Sequence, residues 1–309
     1  MSDIQVIGSL NVDMTVRLSR FHAAGETITG EDFNTYLGGK GGNQAMALSR
    51  LGASVSFIGM VGEDSNGARY IEALNLAGVD TSGIGTTTEA PTGVALIEVN
   101  KRGENRIAVV PGANALCDVD FLSEQQEKQE APKLLMLQLE IPLYSCMQAA
   151  KQAEKQGTIV MLDPAPAVPL NDMFLSSLDW ITPNESELRL LTGMPIGSIS
   201  DVENAAKYLL SKGAKKVVAK LGKSGCLYVD SERSLYSPTF SVNAVDTTAA
   251  GDSFNAGLAY AIINDMPLEK ALRFANAVGA ISTTMEGAQA AMPTLEMVEE
   301  FLANNSQIS

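Results

Sequence analysis

Apolar positions along this chain recur with two alternating periods, and the elements they predict follow one another in a regular order. A short apolar run from Ile4 to Ile7 ends at Gly8-Ser9 and reads as a strand. Residues 42–51 then read as a helix with Ala45, Leu48 and Leu51, or Ala45 and Ser49, on one face. A second strand is expected over Val55–Met60, followed by a helix from about Ser65 to Leu76 that Gly78 stops. Further strands are expected at Leu134–Leu139, Thr158–Asp163, Trp180–Ile181, Lys216–Lys220 and Cys226–Val229, with helices at about 143–155, 185–191 and 201–212. A β-like run, Tyr236 to Val245, precedes a helix carrying Phe254, Leu258 and Ile262 on its apolar face. Alanine-rich helices over Leu268–Thr284 and Thr294–Ala303 complete the chain.

Strands alternating with helices predict an α/β fold, a parallel sheet covered on both faces. Residues 93–110 break this rhythm. Val94–Asn100 and Asn105–Val110 are rich in Val and Ile and are joined by Lys101-Arg102-Gly103-Glu104, which reads as a hairpin. With the early extended material it predicts a small antiparallel β appendage, about 13–38 plus 92–112, at one edge of the main sheet. No repeat or long Pro/Gly-rich linker divides the chain, so residues 1–309 are expected to form a single domain.

Composition narrows the partners. The formal net charge is −14, without Lys/Arg clusters, which argues against nucleic acid or an anionic membrane. Three cysteines, Cys117, Cys146 and Cys226, are odd in number and widely spaced, and read as reduced thiols. The N-terminal residues lack the pattern of a signal peptide. No apolar run reaches the ~18–20 residues of a membrane span, so a cytoplasmic protein is expected. The single histidine, His22, leaves little room for Ser-His triads or His-based zinc sites.

Residues 246–252 read Asp-Thr-Thr-Ala-Ala-Gly-Asp and open a helix. Small residues there leave backbone N–H groups unpaired, with the positive end of the helix dipole behind them, which makes an anion site. Asp252 at its rim is either an ordinary N-cap or a base that deprotonates a hydroxyl beside a transferred phosphoryl group. Gly38-Gly39-Lys40-Gly41-Gly42-Asn43-Gln44 is a second signal, a turn that lets backbone approach a ligand or merely bends ahead of a helix. It is not a Walker A loop, since Gly41 follows Lys40. Nor is Gly222-Lys223-Ser224, because Val217 stands where the first glycine belongs. Asn11 and Asp13 fall on one side of an extended segment, suited to vicinal hydroxyls or simply a polar strand edge. Gln138-Leu139-Glu140 and Asp163-Pro164-Ala165-Pro166 follow apolar strands. Thr182-Pro183-Asn184-Glu185-Ser186-Glu187 reads as a helix cap or as groups orienting Mg²⁺ waters and phosphate oxygens.

Together, Gly38 to Ala45, Thr182 to Glu187 and Val245 to Phe254 resemble the ribokinase branch of the PfkB carbohydrate kinase family, essentially from end to end. Gly8 to Asp13, Leu137 to Glu140 and Asp163 to Ala167 add to the resemblance. It implies a ribokinase-like three-layer αβα fold with a mostly parallel sheet and a small β lid, which in this family commonly also clasps a homodimer. It implies transfer of the γ-phosphoryl group of ATP to a primary hydroxyl, most simply D-ribose to D-ribose 5-phosphate. Alternatives are another sugar (deoxyribose, a ketohexose or a nucleoside) or a weakly catalytic sugar-binding regulator. Asp252 then matches the base, and Ala249, Ala250 and Gly251 the anion hole. Asn11, Asp13, Gly39, Lys40, Asn43 and Glu140 match sugar positions. Asn184, Lys220, Gly222, Gly225, Gly251 and Asn276 match nucleotide positions, and Glu187 one that arranges Mg²⁺ through water. The family's monovalent cation, usually K⁺, would lie at Asp246, Thr248, Ser282, Met285, Gly287 and Ala291. Ala291 departs from the Ser often found there, and Gly42 stands where Ala is common.

Overall fold

The periodic apolar runs form thirteen strands and ten α-helices among the residues that the computed structural model describes, 2–305. The first third comprises β1 (Ile4–Ile7), β2 (Asn11–Leu18), β3 (Asp32–Gly38), α1 (Lys40–Arg50), β4 (Val55–Gly62), α2 (Ser65–Leu76), β5 (Asp80–Thr87), β6 (Gly93–Asn100) and β7 (Asn105–Val110). The middle comprises α3 (Val119–Glu127), β8 (Leu134–Leu137), α4 (Leu143–Lys155), β9 (Ile159–Leu162), α5 (Asp172–Ser176), β10 (Trp180–Ile181), α6 (Glu185–Thr192) and α7 (Ile199–Ser211). There follow β11 (Val217–Lys220), β12 (Cys226–Val229), β13 (Ser234–Ser237), α8 (Ala250–Ile263), α9 (Leu268–Ser282) and α10 (Leu295–Asn304).

Nine strands make one sheet in the order β13-β12-β11-β10-β9-β8-β1-β4-β5, parallel from β11 through β5 and antiparallel at the β12 and β13 edge. Alternation along each strand feeds two cores. Ile4, Val6, Leu134, Met136 and Met161 pack with α1, α2, α8 and α9, whereas Ile7, Leu135, Leu137, Val160 and Leu162 pack with α4, α5, α6 and α7. This is a three-layer α/β fold. No helix among the described residues is long and apolar enough to cross a membrane.

The remaining strands form a separate four-stranded sheet, β3-β2-β6-β7. It is not wholly antiparallel, because β2 pairs with β6 in parallel. It also does not extend an edge of the main sheet: β2 follows directly on β1, an interior strand, so the small sheet rises from the carboxyl ends of the central strands. The Tyr236–Val245 run is largely irregular, with the strand ending at Ser237. Pro238 has no N–H to continue the ladder, and the chain turns away to line a cleft with Thr239, Phe240 and Val242.

Candidate active site

Five adjacent parallel strands, β1, β8, β9, β10 and β11, end on the same side, where ligands of open α/β sheets bind. Each releases a polar residue there: Ser9 and Asn11 beyond β1, Glu140 beyond β8, Asp163 beyond β9, Asn184 and Glu187 beyond β10, and Lys220 at the end of β11. The helices α1 and α8 bring their N-terminal turns to the same place. The sheet thus lays out a row of acids and amides facing two helix starts.

Asp252 is the centre of this row. It is the third residue of α8, yet no side chain caps that helix, whose N-cap is Ala249 at φ 59°. The carboxylate instead turns inward, 5 % exposed. Its Oδ2 accepts from Asn43 Nδ2 at 3.0 Å and its Oδ1 from Gln44 Nε2 at 3.3 Å. The cap explanation for this aspartate therefore has no hydrogen bond to support it. Burial raises the Asp252 carboxyl to about 6, against the pull of Lys40 and the Asn43 hydrogen bond and with the push of Asp163 and Glu140. Lys40 is itself desolvated, but Asp252, Asp163, Glu140 and Glu187 around it outweigh that and hold its ammonium above the usual range.

The Gly39–Asn43 turn is fixed from both sides. Gly39 lies at φ 83°, and a Cβ on it would come within 2.7 Å of the Asn11 amide nitrogen, so only glycine allows the approach. Glu140 Oε2 accepts from the Lys40 N–H at 2.9 Å and from Ser9 Oγ at 2.5 Å, which caps α1 with a carboxylate. Asn11 is buried, its Oδ1 held by Asn114 Nδ2 at 2.8 Å. Burial, with Glu140 and Asp252 nearby, raises the Asp13 carboxyl to about 7. Asp13 faces a cavity of about 390 Å³ between the small sheet and residues 244–248 and 286–288.

A second cleft, about 240 Å³, is lined by Lys220, Gly222, Gly225, Phe240, Gly251, Phe254 and Asn276. Lys220 Nζ pairs with Asp163 Oδ1 at 2.8 Å, both largely buried, and lies 3.6 Å from where a Gly251 Cβ would be. A cation thus stands beside the first turn of α8, where the Ala250 N–H donates to the Thr247 carbonyl at 3.3 Å. Asn276 Nδ2 donates to the Ser237 and Pro238 carbonyls and so fixes the cleft wall. Asn184 and Glu187 form a capping box: Asn184 Oδ1 accepts from the Glu187 N–H, and Glu187 Oε2 from the Asn184 N–H at 2.7 Å. Burial raises the Glu187 carboxyl while Lys220 opposes the rise.

The loops at Asp246 and Gly287 meet. Asp246 Oδ1 accepts from Thr248 N–H and Oγ1, and its Oδ2 from the Gly287 N–H at 3.0 Å. Burial opposes the Asp246 charge, but these bonds outweigh it and hold the carboxyl below its usual range. Ser282 spends its hydroxyl on the Gly279 carbonyl, Met285 is exposed, and Ala291 is buried. Two motif residues without an assigned role, Gln44 and Asp163, join the network around Asp252. Gln44 bridges Asp252 and Asp163 through one amide nitrogen and accepts from Gln138 Nε2 at 2.6 Å, and Asp163 continues the chain to Lys220. The signal for both was present in the quoted motifs, as a polar residue beside Asn43 and a carboxylate closing a strand.

Geometrically the site is a buried carboxylate tied through Asn43 to the glycine turn and through Gln44 to Asp163 and Lys220, with one cavity lined by Asp13 and a second lined by Gly251 and Lys220. The chain matches the profile of pfkB family carbohydrate kinases over residues 1–295. It is 41 % identical over 300 residues to the ribokinase of Haemophilus influenzae, covering 97 % of this chain and 98 % of that one. It is 34 % identical over 304 residues to the deoxyribokinase of Salmonella typhi, covering 98 % and 99 %. The structure of Arabidopsis thaliana ribokinase complexed with ribose and ATP superposes with a TM-score of 0.91 at 33 % identity, covering 97 % and 98 %. Sequence, fold and site geometry agree, and the chain belongs to the pfkB family of carbohydrate kinases.

Proposed function

We propose that this protein is an ATP-dependent ribokinase, transferring the γ-phosphoryl group of ATP to the primary hydroxyl of D-ribose to give D-ribose 5-phosphate. The observation that carries the reading is Asp252: a buried carboxylate, raised to about 6, in the first turn of α8, next to Gly251 of one cavity and close enough to Asp13 of the other to raise its carboxyl. In its ionised form it takes the hydroxyl proton as the new O–P bond forms and the bond from the γ-phosphorus to the β–γ bridging oxygen breaks, releasing ADP. The N-terminal amides of Ala249 and Gly251, joined by that of Ala250 when it gives up its 3.3 Å bond to the Thr247 carbonyl, stabilise with Lys220 the charge that develops on the transferred group. Asn11, Asp13, Gly39, Lys40, Asn43 and Glu140 bind the sugar hydroxyls. Asn184, Lys220, Gly222, Gly225, Gly251 and Asn276 bind the nucleotide.

Mg²⁺ fits this site only with water between it and the protein. Among the described residues no three His, Cys, Asp or Glu side chains form a metal-ligating group, and both Glu187 oxygens accept hydrogen bonds from Asn184. Mg²⁺ commonly keeps its waters and binds through substrate phosphates, so Glu187 would hold it through water. When bound it neutralises phosphate charge. For a monovalent cation the donors are the Asp246 carboxylate and backbone carbonyls of Thr248, Ser282, Met285, Gly287 and Ala291. These suit K⁺, and comparing activity in KCl and NaCl checks the assignment.

The small sheet suits a lid over the sugar. Register places Asp13, Thr15, Asn34 and Ile97 on the face toward the larger cavity, and Met14, Val16, Phe33, Leu96 and Val110 on the other. Phe33 is 61 % and Leu96 49 % exposed, which favours a homodimer through this face; sedimentation velocity tests it.

The test of function is a sugar panel with ATP and Mg²⁺. Ribose is expected to give the highest kcat/KM. The deoxyribokinase relative supports 2-deoxyribose as the second reading, and a preference for it would replace the first. Turnover of no sugar would overturn both.

A further inference from the structure

Tyr70 points from α2 into the core and is fully buried. Its hydroxyl joins two parts of the molecule that are far apart in sequence. It donates to the Gly38 carbonyl at the start of the Gly39–Asn43 turn. It accepts from Gln289 Nε2 at 2.7 Å, from the loop that follows α9. Burial holds the phenol well above its usual range, so the hydroxyl keeps its proton and remains a donor. The same Gln289 nitrogen reaches Asn43 Oδ1 at 3.3 Å, and Gln289 is itself buried. The segment from Gly38 to Asn43 is therefore held at its first residue by Tyr70 and at its last by Gln289.

The direction of donation matters. Because Gln289 donates to Asn43 Oδ1, Asn43 has its NH₂ left to offer Asp252 Oδ2, which it does at 3.0 Å. An Asn43 amide turned the other way would set a carbonyl against that carboxylate. The chain has also made room for the hydroxyl. A Cβ on Gly42 would lie 2.0 Å from Tyr70 Oη and 2.8 Å from Cζ, so the glycine and the tyrosine are complementary in shape. Tyr70 lines neither cavity.

We propose that Tyr70, acting with Gln289, is a positioning residue that sets the sugar affinity of the Gly38–Asn43 segment while leaving nucleotide binding alone. This rests on the reading of that segment as the sugar-binding turn. Tyr70→Phe keeps the ring in the core and removes only the hydroxyl, so it separates the tie from the packing.

The experiment compares the parent with Tyr70→Phe, Gln289→Leu and the double variant, varying the best sugar of the panel and ATP in turn. Tyr70→Phe is expected to raise the sugar KM by about 5–20-fold, the worth of one buried hydrogen bond, with kcat and the ATP KM within about threefold. Gln289→Leu should raise the sugar KM at least as much and also lower kcat, since Asn43 loses its orientation. The double variant should be no worse than Gln289→Leu alone, because both changes break one tie. An unchanged sugar KM in Tyr70→Phe overturns the proposal. So does an equal rise in both KM values with a lower melting temperature, or multiplied effects in the double variant. If the parent itself uses no sugar, the sugar-binding reading falls and takes the proposal with it; if the parent is active and Tyr70→Phe matches it, only the tie falls.

Discussion

Asp252→Asn is expected to lower kcat by about 10²–10⁴-fold while the sugar and ATP dissociation constants change by no more than about threefold. The substitution is nearly isosteric and removes the proton acceptor from the first turn of α8. The parent should show the matching pH dependence. Asp252 accepts a proton only when ionised, and its carboxyl titrates at about 6, so kcat/KM should fall with unit slope below that pH. The variant should lack that limb. Steady-state kinetics between pH 5 and 9, with calorimetric binding of each substrate, measures both. A loss of sugar binding comparable with the loss of kcat would make Asp252 chiefly a sugar ligand.

The second large effect belongs to Lys40. Its charge interacts with those of Asp252, Asp163, Glu140 and Glu187, and it is the strongest influence lowering the Asp252 carboxyl. Lys40→Met removes that influence, so the Asp252 carboxyl rises further and more of the base is protonated at pH 7. We expect kcat/KM at pH 7 to fall by at least about tenfold, with part of the loss recovered at pH 9 as the acid limb moves to higher pH. A limb that stays in place while activity falls would limit Lys40 to contacting the sugar. Stability should change with pH in the opposite sense. A carboxyl raised in the folded state keeps a proton that the unfolded chain has released, so stability is greatest at low pH and is lost as pH rises through the folded value. The melting temperature of Lys40→Met should therefore drop more steeply between pH 5.5 and 8 than that of the parent.

Much of this molecule is legible in its sequence because the main sheet obeys simple periodicity. Leu134–Leu137 and Cys226–Val229 are apolar runs buried on both faces, and helices such as Leu143–Lys155 repeat their alanines at helical spacing. β5 escapes, since Asp-Thr-Ser-Gly-Ile-Gly-Thr-Thr is an edge strand with neither apolar alternation nor β-branched continuity. The early start of α1 escapes too, because Lys40-Gly41-Gly42 has poor helix propensity and is held by Glu140 and Ser9 from another part of the chain. The candidate site follows the same division. Asp252 and Asn43 announce themselves through motifs of small and polar residues, whereas Lys220, the last residue of an expected strand, enters only through the family resemblance. Tyr70 and Gln289 do not: Tyr70 occupies an ordinary apolar position of an amphipathic helix, and its meaning lies in a hydroxyl contact 219 residues away.

The hydrogen bond between Asn43 and Asp252 spans 209 residues, and that between Gln289 and Asn43 spans 246. Such separations have a consequence for how the protein comes into being. During synthesis the first strand, the glycine turn and α1 emerge long before the helix that carries the base, and the glutamine that orients Asn43 emerges later still. Closing these contacts is entropically expensive and comes late in folding. A nascent chain therefore passes through most of its translation without a working centre: a product truncated before α8 lacks the base itself, and one that stops just after α8 lacks the glutamine that orients Asn43. The order of the strands makes activity a property of the finished chain.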